Sequence, residues 1–530
     1  MFDVIIHGGK IIDGSKAPAY VADVGIKDNR ILAIGSLLEA DAARKVDAQG
    51  LVVAPGFIDI HTHSDFTLLV NPAAESQVHQ GVTLDVVGQC GHSCAPVDDP
   101  EVCRQSILGY HPGVEITWRS FDEYLSRLEK LNLGLNVMAM VGHGTVYRTV
   151  MKGQSGTPTP DDVKQMQSLV RASLEEGAAG FTTGLEYWPG SEARPEEILP
   201  LVAVAHRYNA LYATHIRNRD LYYDLGLAEA LSMARVTGVR LQISHIQPKF
   251  GAPLDAMAHS LKMIQWSAES GADVAFDIIP HDWAHTKVSA ILPTWAFEGG
   301  ESELCRRLTD PGQRAKMKLN PKPIWQLVPA RRWNDIILFR SKANKDLIGL
   351  TFEEIGQKRD VDPYEAVFDL LLEEGENIHD LMWTSHNFTE NDIQLCLKQS
   401  DCGVISDTMA LAPYGALKET IGSLSGYGWI PRFFQKYVRE ERIITIEDAI
   451  HRVTALPAAR LGLKDRGLLR PGAMADITVF DEASIKSRAT LNEPALYPIG
   501  IEHVMVNGRF CIENGKRTPF NAGRVIRHIQ

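Results

Sequence analysis

Between residues 56 and 407 the chain alternates short apolar runs with amphipathic helical stretches, and this rhythm limits its fold more than any other feature. The runs are Gly56–His61, Thr83–Gly88, Asn136–Val141, Ala179–Thr183, Leu211–His215, Arg240–His245, Asp273–Ile278 and Gly403–Asp407. Strands alternating with helices assemble into parallel β-α units. Eight such units close a (β/α)8, TIM-like barrel. The intervening segment Asp161–Glu176 shows the helical half of the pattern: Val163, Met166, Leu169, Val170 and Leu174 share one stripe, and Gly177 stops it. A ninth run, Leu381–Ser385, leaves the count open by one. The long interval between the seventh and eighth runs needs structure of its own, and residues 282–345 are expected to form a lid inserted into the barrel.

The two ends of the chain read differently. Phe2–Ile6, Lys10–Ile12, Ala22–Ile26 and Arg30–Ile34 are short strands broken by Gly8-Gly9, Asp13-Gly14 and Asp28-Asn29. Ala475–Phe480, Ile501–Val506 and Arg509–Glu513 repeat the style, with Asn507-Gly508 as a hairpin turn. Residues 1–55 and 465–530 are therefore expected to join into one small β-sandwich beside a barrel spanning 56–464.

Composition excludes several classes of function. The 54 Lys and Arg against 66 Asp and Glu give a net charge of −12, which disfavours a nucleic-acid surface. Seven cysteines, an odd and sparse set, do not form a disulfide framework. No signal-peptide pattern and no membrane-spanning run is present, so a cytoplasmic protein without membrane partners is expected.

The chemistry gathers at the ends of the runs. The first ends in His61-Thr62-His63, whose imidazoles share one side of an extended chain. The second ends at Cys90, the fifth at His215, the sixth at His245 and the eighth at Asp407. Taken singly, a strand-end histidine is an ordinary hydrogen-bonded core residue, and Cys90 a small buried hydrophobe. One barrel rim, however, brings all six together, and barrel active sites sit on that rim. Zinc suits imidazole and thiolate and lowers the pKa of bound water to about 7. Such a site points to hydrolysis of an amide or related C–N bond, with Asp407 as general acid/base.

These residues resemble the amidohydrolase superfamily, through Pro55-Gly56-Phe57-Ile58-Asp59-Ile60-His61-Thr62-His63, His215, His245 and Asp407. Within it the chain is most similar to the D-aminoacylases, or N-acyl-D-amino-acid deacylases. Gln80-Gly81-Val82-Thr83, Val86-Val87-Gly88-Gln89-Cys90-Gly91, Thr183-Gly184-Leu185-Glu186-Tyr187, Thr214-His215-Ile216-Arg217 and Ile243-Ser244-His245 carry this likeness. The resemblance implies a tight zinc on Cys90, His215 and His245. It also implies a weaker second metal position at His61, His63 and Asp407, and a pocket lined by Tyr187. Cys90 takes the place that a carboxylated lysine holds in hydantoinases.

The substrate-recognition layer departs from the family pattern. Asp407 is followed by Thr408 rather than Gly, Pro413-Tyr414-Gly415 stands where a His-Pro-Arg motif is usual, and Gln247 replaces a common lysine. Ile279-Pro280-His281 replaces Tyr-Pro-Tyr. Arg217 is either a carboxylate binder or a rim salt bridge. Lys249 either replaces the missing cation or is a solvated loop lysine. Ser289 matches a family position near the lid, but a loop hydroxyl also caps backbone. His281 and His285 either reach the pocket or pack beside Trp283.

The expectation is hydrolysis of a linear amide by a zinc enzyme with a small-molecule substrate. A cyclic amide, small peptide or xenobiotic amide is the alternative, a catalytically silent barrel a remoter one, and a homo-oligomer stays open. Purified protein should carry about one tightly bound zinc, and Cys90→Ala should lose it. Full metal content in that variant, measured by atomic spectroscopy, removes Cys90 from the ligand set.

Overall fold

The computed structural model describes residues 1–104, 107–297, 300–319, 325–378, 381–418, 420 and 423–528. Residues 298–299 and 320–324 of the expected lid, and 529–530 of the expected β domain, lie outside this set.

All eight expected barrel strands form. Phe57–Asp59 pairs in parallel with Val82–Val87, which pairs with Asn136–Ala139. That strand resumes as Val141–Gly142, and the ladder continues through Gly180–Gly184, Leu211–His215, Arg240–Ile243, Val274–Ile278 and Cys402–Val404. The eighth strand returns to the first through a parallel bridge between Thr62 and Thr408. There the His63 amide donates to the Thr408 carbonyl at 2.7 Å, and the Asp407 amide to the His61 carbonyl at 3.2 Å. This is a closed (β/α)8 barrel.

Alternation along the strands divides the core. Ile58, Leu84, Val86 and Met138 belong to one buried cluster, and Phe57, Val87, Val137 and Phe181 to another that includes the surrounding helices. Successive side chains on a strand point to opposite faces, so each strand fills the barrel and seats a helix at once. The helix expected over 161–176 runs Pro160–Glu175, with Thr159 and Asp162 forming a capping box and proline in the first turn.

Both termini contribute to one nine-stranded sheet, joined where Val52–Pro55 pairs antiparallel with Ile477–Phe480. The two runs expected at Phe2–Ile6 and Lys10–Ile12 are a single strand, Phe2–Ile11. Its register shifts between Ile6 and Gly9, so Gly8-Gly9 makes a bulge rather than a turn.

The ninth apolar run does not belong to the barrel. Met382–His386 is the middle strand of a three-stranded antiparallel sheet, between Trp283–Lys287 and Ile336–Arg340. The inserted layer therefore runs past residue 345, because its central strand comes last in the chain. Pairing across about a hundred residues leaves no local signal. Helices Gly300–Thr309, Pro311–Lys318, Phe352–Arg359 and Pro363–Glu373 complete this layer. Its buried residues, including Trp325, Leu338 and Trp383, form one apolar cluster with the barrel-interior residues Ile60, Val86 and Ile405.

Trp383 anchors the layer. It is buried, its ring lies 5.1 Å from that of Trp325, and its indole N–H donates to the Lys287 carbonyl at 3.0 Å. Truncating such a residue costs about 3–5 kcal/mol. Trp383→Ala should therefore accelerate native-state proteolysis within residues 282–388 by about 10²–10³-fold or more, with the barrel fragments left intact. Unchanged cleavage of this layer removes Trp383 as its anchor.

Candidate metal centre

The strand ends place six donor side chains at one point. Cys90 Sγ lies 3.4 Å from His61 Nε2, 3.5 Å from His245 Nε2 and 3.7 Å from His215 Nδ1. His215 Nδ1 and His245 Nε2 are 3.0 Å apart. Asp407 Oδ1 lies 3.3 Å from His61 Nε2 and 3.2 Å from His63 Nε2. Two overlapping groups result, Cys90-His215-His245 and His61-His63-Cys90-Asp407, with the cysteine common to both.

The backbone is bent to achieve this. Cys90, His245 and Asp407 have φ of 52°, 33° and 49°, in the left-handed region. For residues other than glycine that conformation is sparsely populated and costs on the order of 1–3 kcal/mol each. Three such residues, each ending a different strand, turn their side chains into one space. Gly88 makes the approach to Cys90 feasible: a Cβ there would stand 2.0 Å from the Met140 carbonyl oxygen.

Buried carboxylates hold the donors. Asp59 Oδ1 accepts from the backbone amides of His61 and Ser406 at 3.3 and 3.2 Å, tying the first strand to the eighth. Asp277 accepts from the His245 amide. Glu186 Oε2 accepts from His215 Nε2 at 2.7 Å. None of these three acids stands out in the sequence as a donor or its support. A lone Asp in the apolar strand Val274–Ile278 and a Glu just past the fourth strand were the available signals.

Electrostatics favour the charged donor forms. Burial pushes the Cys90 thiol up, but His61, His215 and His245 together carry it well below its ordinary value. Burial likewise raises Asp407, and His245, His61 and His63 outweigh it, holding the carboxyl well below the usual range. The donor separations also fit a metal. Bonds of about 2.0–2.3 Å to a tetrahedral ion set its ligands roughly 3.3–3.8 Å apart, and sulfur with imidazole nitrogen is the set that zinc prefers.

The remaining expected site residues divide. Tyr187 is half-buried with its ring 4.8 Å from that of His215, at the edge of the centre. Arg217 is the rim salt bridge. Nε and one NH2 donor engage Glu229, and the other three engage the carbonyls of Gly190, Ser191 and Ala193. All five of its donors are thus used within the protein. Lys249 is not solvated: it is buried, 2.8 Å from Glu186 and 4.3 Å from the Trp325 ring centroid. Ser289 is buried in the turn Val288–Ile291 at the base of the inserted layer. His285 packs on Phe339 rather than beside Trp283, whose ring instead meets His386. His281 is buried, with no hydrogen-bond partner for Nε2 among the described residues. Tyr414, where His-Pro-Arg was sought, donates to Glu75 at 2.6 Å.

The thiols offer a direct check. Burial pushes Cys103 and Cys402 up to about 12, raises Cys94 and Cys396 well above their ordinary value, and raises Cys511. Thiolate is the reactive form, and a lowered pKa keeps it present at neutral pH. In metal-stripped protein at about pH 7, a small alkylating reagent should modify Cys90 ahead of these five. Added zinc should suppress that modification. Equal labelling of Cys90 and Cys94 by peptide mass mapping contradicts the geometry.

Comparison with known proteins agrees with this architecture. An amidohydrolase family model matches residues 44–256 and 405–512, leaving out the whole of the inserted layer. The chain is 33% identical to an N-acyl-D-glutamate deacylase of Alcaligenes xylosoxydans xylosoxydans, over 99% of this chain and 96% of that protein. It is 30% identical to a D-aminoacylase of the same organism, over 99% and 97%. A crystal structure of N-acyl-D-glutamate deacylase from Bordetella bronchiseptica, complexed with zinc and a phosphonate mimic of the tetrahedral intermediate, superposes with a TM-score of 0.84. Its identity is 31%, and 99% of this chain and all of that one are covered. A family model spanning more than half of the chain and full-length relatives of this similarity place the chain in the amidohydrolase family.

Proposed function

We propose that this protein is a zinc-dependent amidohydrolase that cleaves the linear amide of an N-acyl-D-amino acid. The observation that carries the reading is the Cys90 sulfur shared by two donor groups, with Asp407 in the second of them. Full-length similarity to N-acyl-D-glutamate deacylase and D-aminoacylase supports the substrate class.

Cys90, His215 and His245 would hold the tight zinc, and His61, His63 and Asp407 a weaker second ion with Cys90 between them. Zinc bound there supplies Lewis acidity toward water and toward the substrate carbonyl oxygen. The chain's own residues handle the proton. Asp407, the most accessible of the donors, has Oδ1 within 3.3 Å of both His61 and His63, which keep it ionised. It accepts the proton of the attacking water. It then returns that proton to the amide nitrogen as the C–N bond breaks, leaving a free carboxylic acid and an amine. Tyr187 borders the space beside His215, where the acyl group or the Cα substituent would lie. Ser289 and the layer built on residues 282–345 and their continuation would cover the bound substrate. Closure over the rim excludes bulk water and strengthens each polar contact.

One observation favours a second reading with the same metal chemistry. Arg217 is fully committed, Lys249 faces Glu186, and residues 413–418 present no arginine. Recognition of a substrate carboxylate by those groups is absent, so a cyclic amide, small peptide or xenobiotic amide is the competing substrate class.

A screen of zinc-replete enzyme over N-acyl-D-amino acids, N-acyl-L-amino acids, dipeptides and cyclic amides separates the readings. Turnover of N-acyl-D-amino acids with none of the cyclic amides is expected. Asp407→Asn should lower kcat by about 10²–10⁴-fold while the tight zinc remains. A variant with near-wild-type kcat takes Asp407 out of the proton path.

A further inference from the structure

Behind the metal centre lies a buried charged pair with no counterpart in the proton path. Glu186 follows the fourth strand, Lys249 follows the sixth, and both are buried. Leaving either charge alone in such surroundings is strongly unfavourable. Their Nζ–O distance is 2.8 Å, and Glu186 Oε1 also accepts from the Arg219 backbone amide at 2.6 Å. The Lys249 amide in turn donates to the Arg219 carbonyl at 2.7 Å. The pair therefore cross-links the loops after the fourth, fifth and sixth strands.

A purely structural pair would stop there, but Glu186 makes one contact more. Its Oε2 takes the Nε2–H of His215 at 2.7 Å. A neutral imidazole carries one proton, so a proton fixed on Nε2 leaves the Nδ1 lone pair facing Cys90 and His245. Carboxylates that receive the outer N–H of a ligating histidine set its tautomer and ring angle. On the far side, the Lys249 ammonium sits 4.3 Å from the centroid of Trp325, which belongs to the layer over the barrel. Trp325 packs on Trp383, the middle strand of that layer. One continuous line of contacts runs from the inserted layer to a donor of the metal centre.

We propose that Glu186 and Lys249 are positioning residues of the metal centre: Glu186 locks His215 in the Nε2–H tautomer that presents Nδ1 to the metal, and Lys249, under Trp325, supplies its counter-charge. This rests on the reading that Cys90, His215 and His245 hold zinc. It also reassigns Lys249, which acts through Glu186 and not on substrate.

Zinc dissociation constants, measured by competition with a chromogenic chelator, test the proposal alongside kcat and KM. Glu186→Gln should weaken zinc binding by about 10- to 100-fold. Lys249→Met should weaken it in the same direction, and Lys249→Arg should restore most of the loss. Because the two residues act as one unit, Glu186→Gln/Lys249→Met should bind zinc no more weakly than Glu186→Gln alone. KM with zinc saturating should stay within about twofold in Lys249→Met, as it does not if Lys249 grips substrate. The double variant replaces a buried ion pair by two neutral groups, a change that folded proteins tolerate. A folded double variant with wild-type zinc affinity overturns the proposal, as do strictly additive single effects. A double variant that fails to fold also counts against it, since the pair is then a fold requirement. Cys90→Ala in the same assay separates the two levels. Wild-type affinity there defeats the metal-site reading itself, whereas loss there with none in Glu186→Gln defeats only the positioning role.

Discussion

The seam between the eighth strand and the first is the contact on which everything else depends. Without it the parallel strands form an open sheet, and the donors on the first and eighth strands sit at opposite edges. With it, His63 and Asp407 exchange backbone hydrogen bonds across the junction with Thr408 and His61. Asp59 braces the same junction from below through the amides of His61 and Ser406. Placing a buried carboxylate here is costly, and burial pushes it up to about 7. That a polar brace persists there shows how tightly the first and eighth strand ends must be held. A cluster whose donor atoms lie 3.0–3.7 Å apart tolerates little slippage.

Strain and support are paired throughout the centre. Cys90, His245 and Asp407 occupy left-handed backbone conformations, and each has a neighbour that enforces them. Gly88 allows the second strand to turn against Met140, Asp277 holds the His245 amide, and the seam holds Asp407. Unfavourable local geometry persists only where surrounding contacts over-determine it. Here the return is a set of donors turned inward from separate strands, with outer contacts to Glu186 and Asp277 that keep them there.

The inserted layer gives the barrel a covered face. Its apolar cluster is continuous with residues inside the barrel, so layer and barrel share packing rather than merely touching. The family model leaves out this whole segment while matching the flanks. The candidate donors and the inserted layer thus come from different stretches of the chain.

Much of this was legible in the residues alone. Eight apolar runs, their spacing by helices and the chemical character of their ends determined the barrel and pointed to six candidate donors, because period-two burial and strand-end placement are local properties. Three things needed the tertiary structure. The run 381–385 looked like a barrel strand because local sequence cannot tell a barrel strand from one paired to Trp283–Lys287 about a hundred residues earlier. Lys249 and Arg217 each left two readings open, substrate cation or loop and rim charge, because a sequence shows a charge but not its partner. Only folding brings Glu186 to the first and Glu229 to the second. The supporting acids Asp59, Glu186 and Asp277 were invisible as such for the same reason. Chemistry at one point is written in residue types, whereas the order of strands in a sheet and the pairing of buried charges are decided by contacts between segments far apart in the chain.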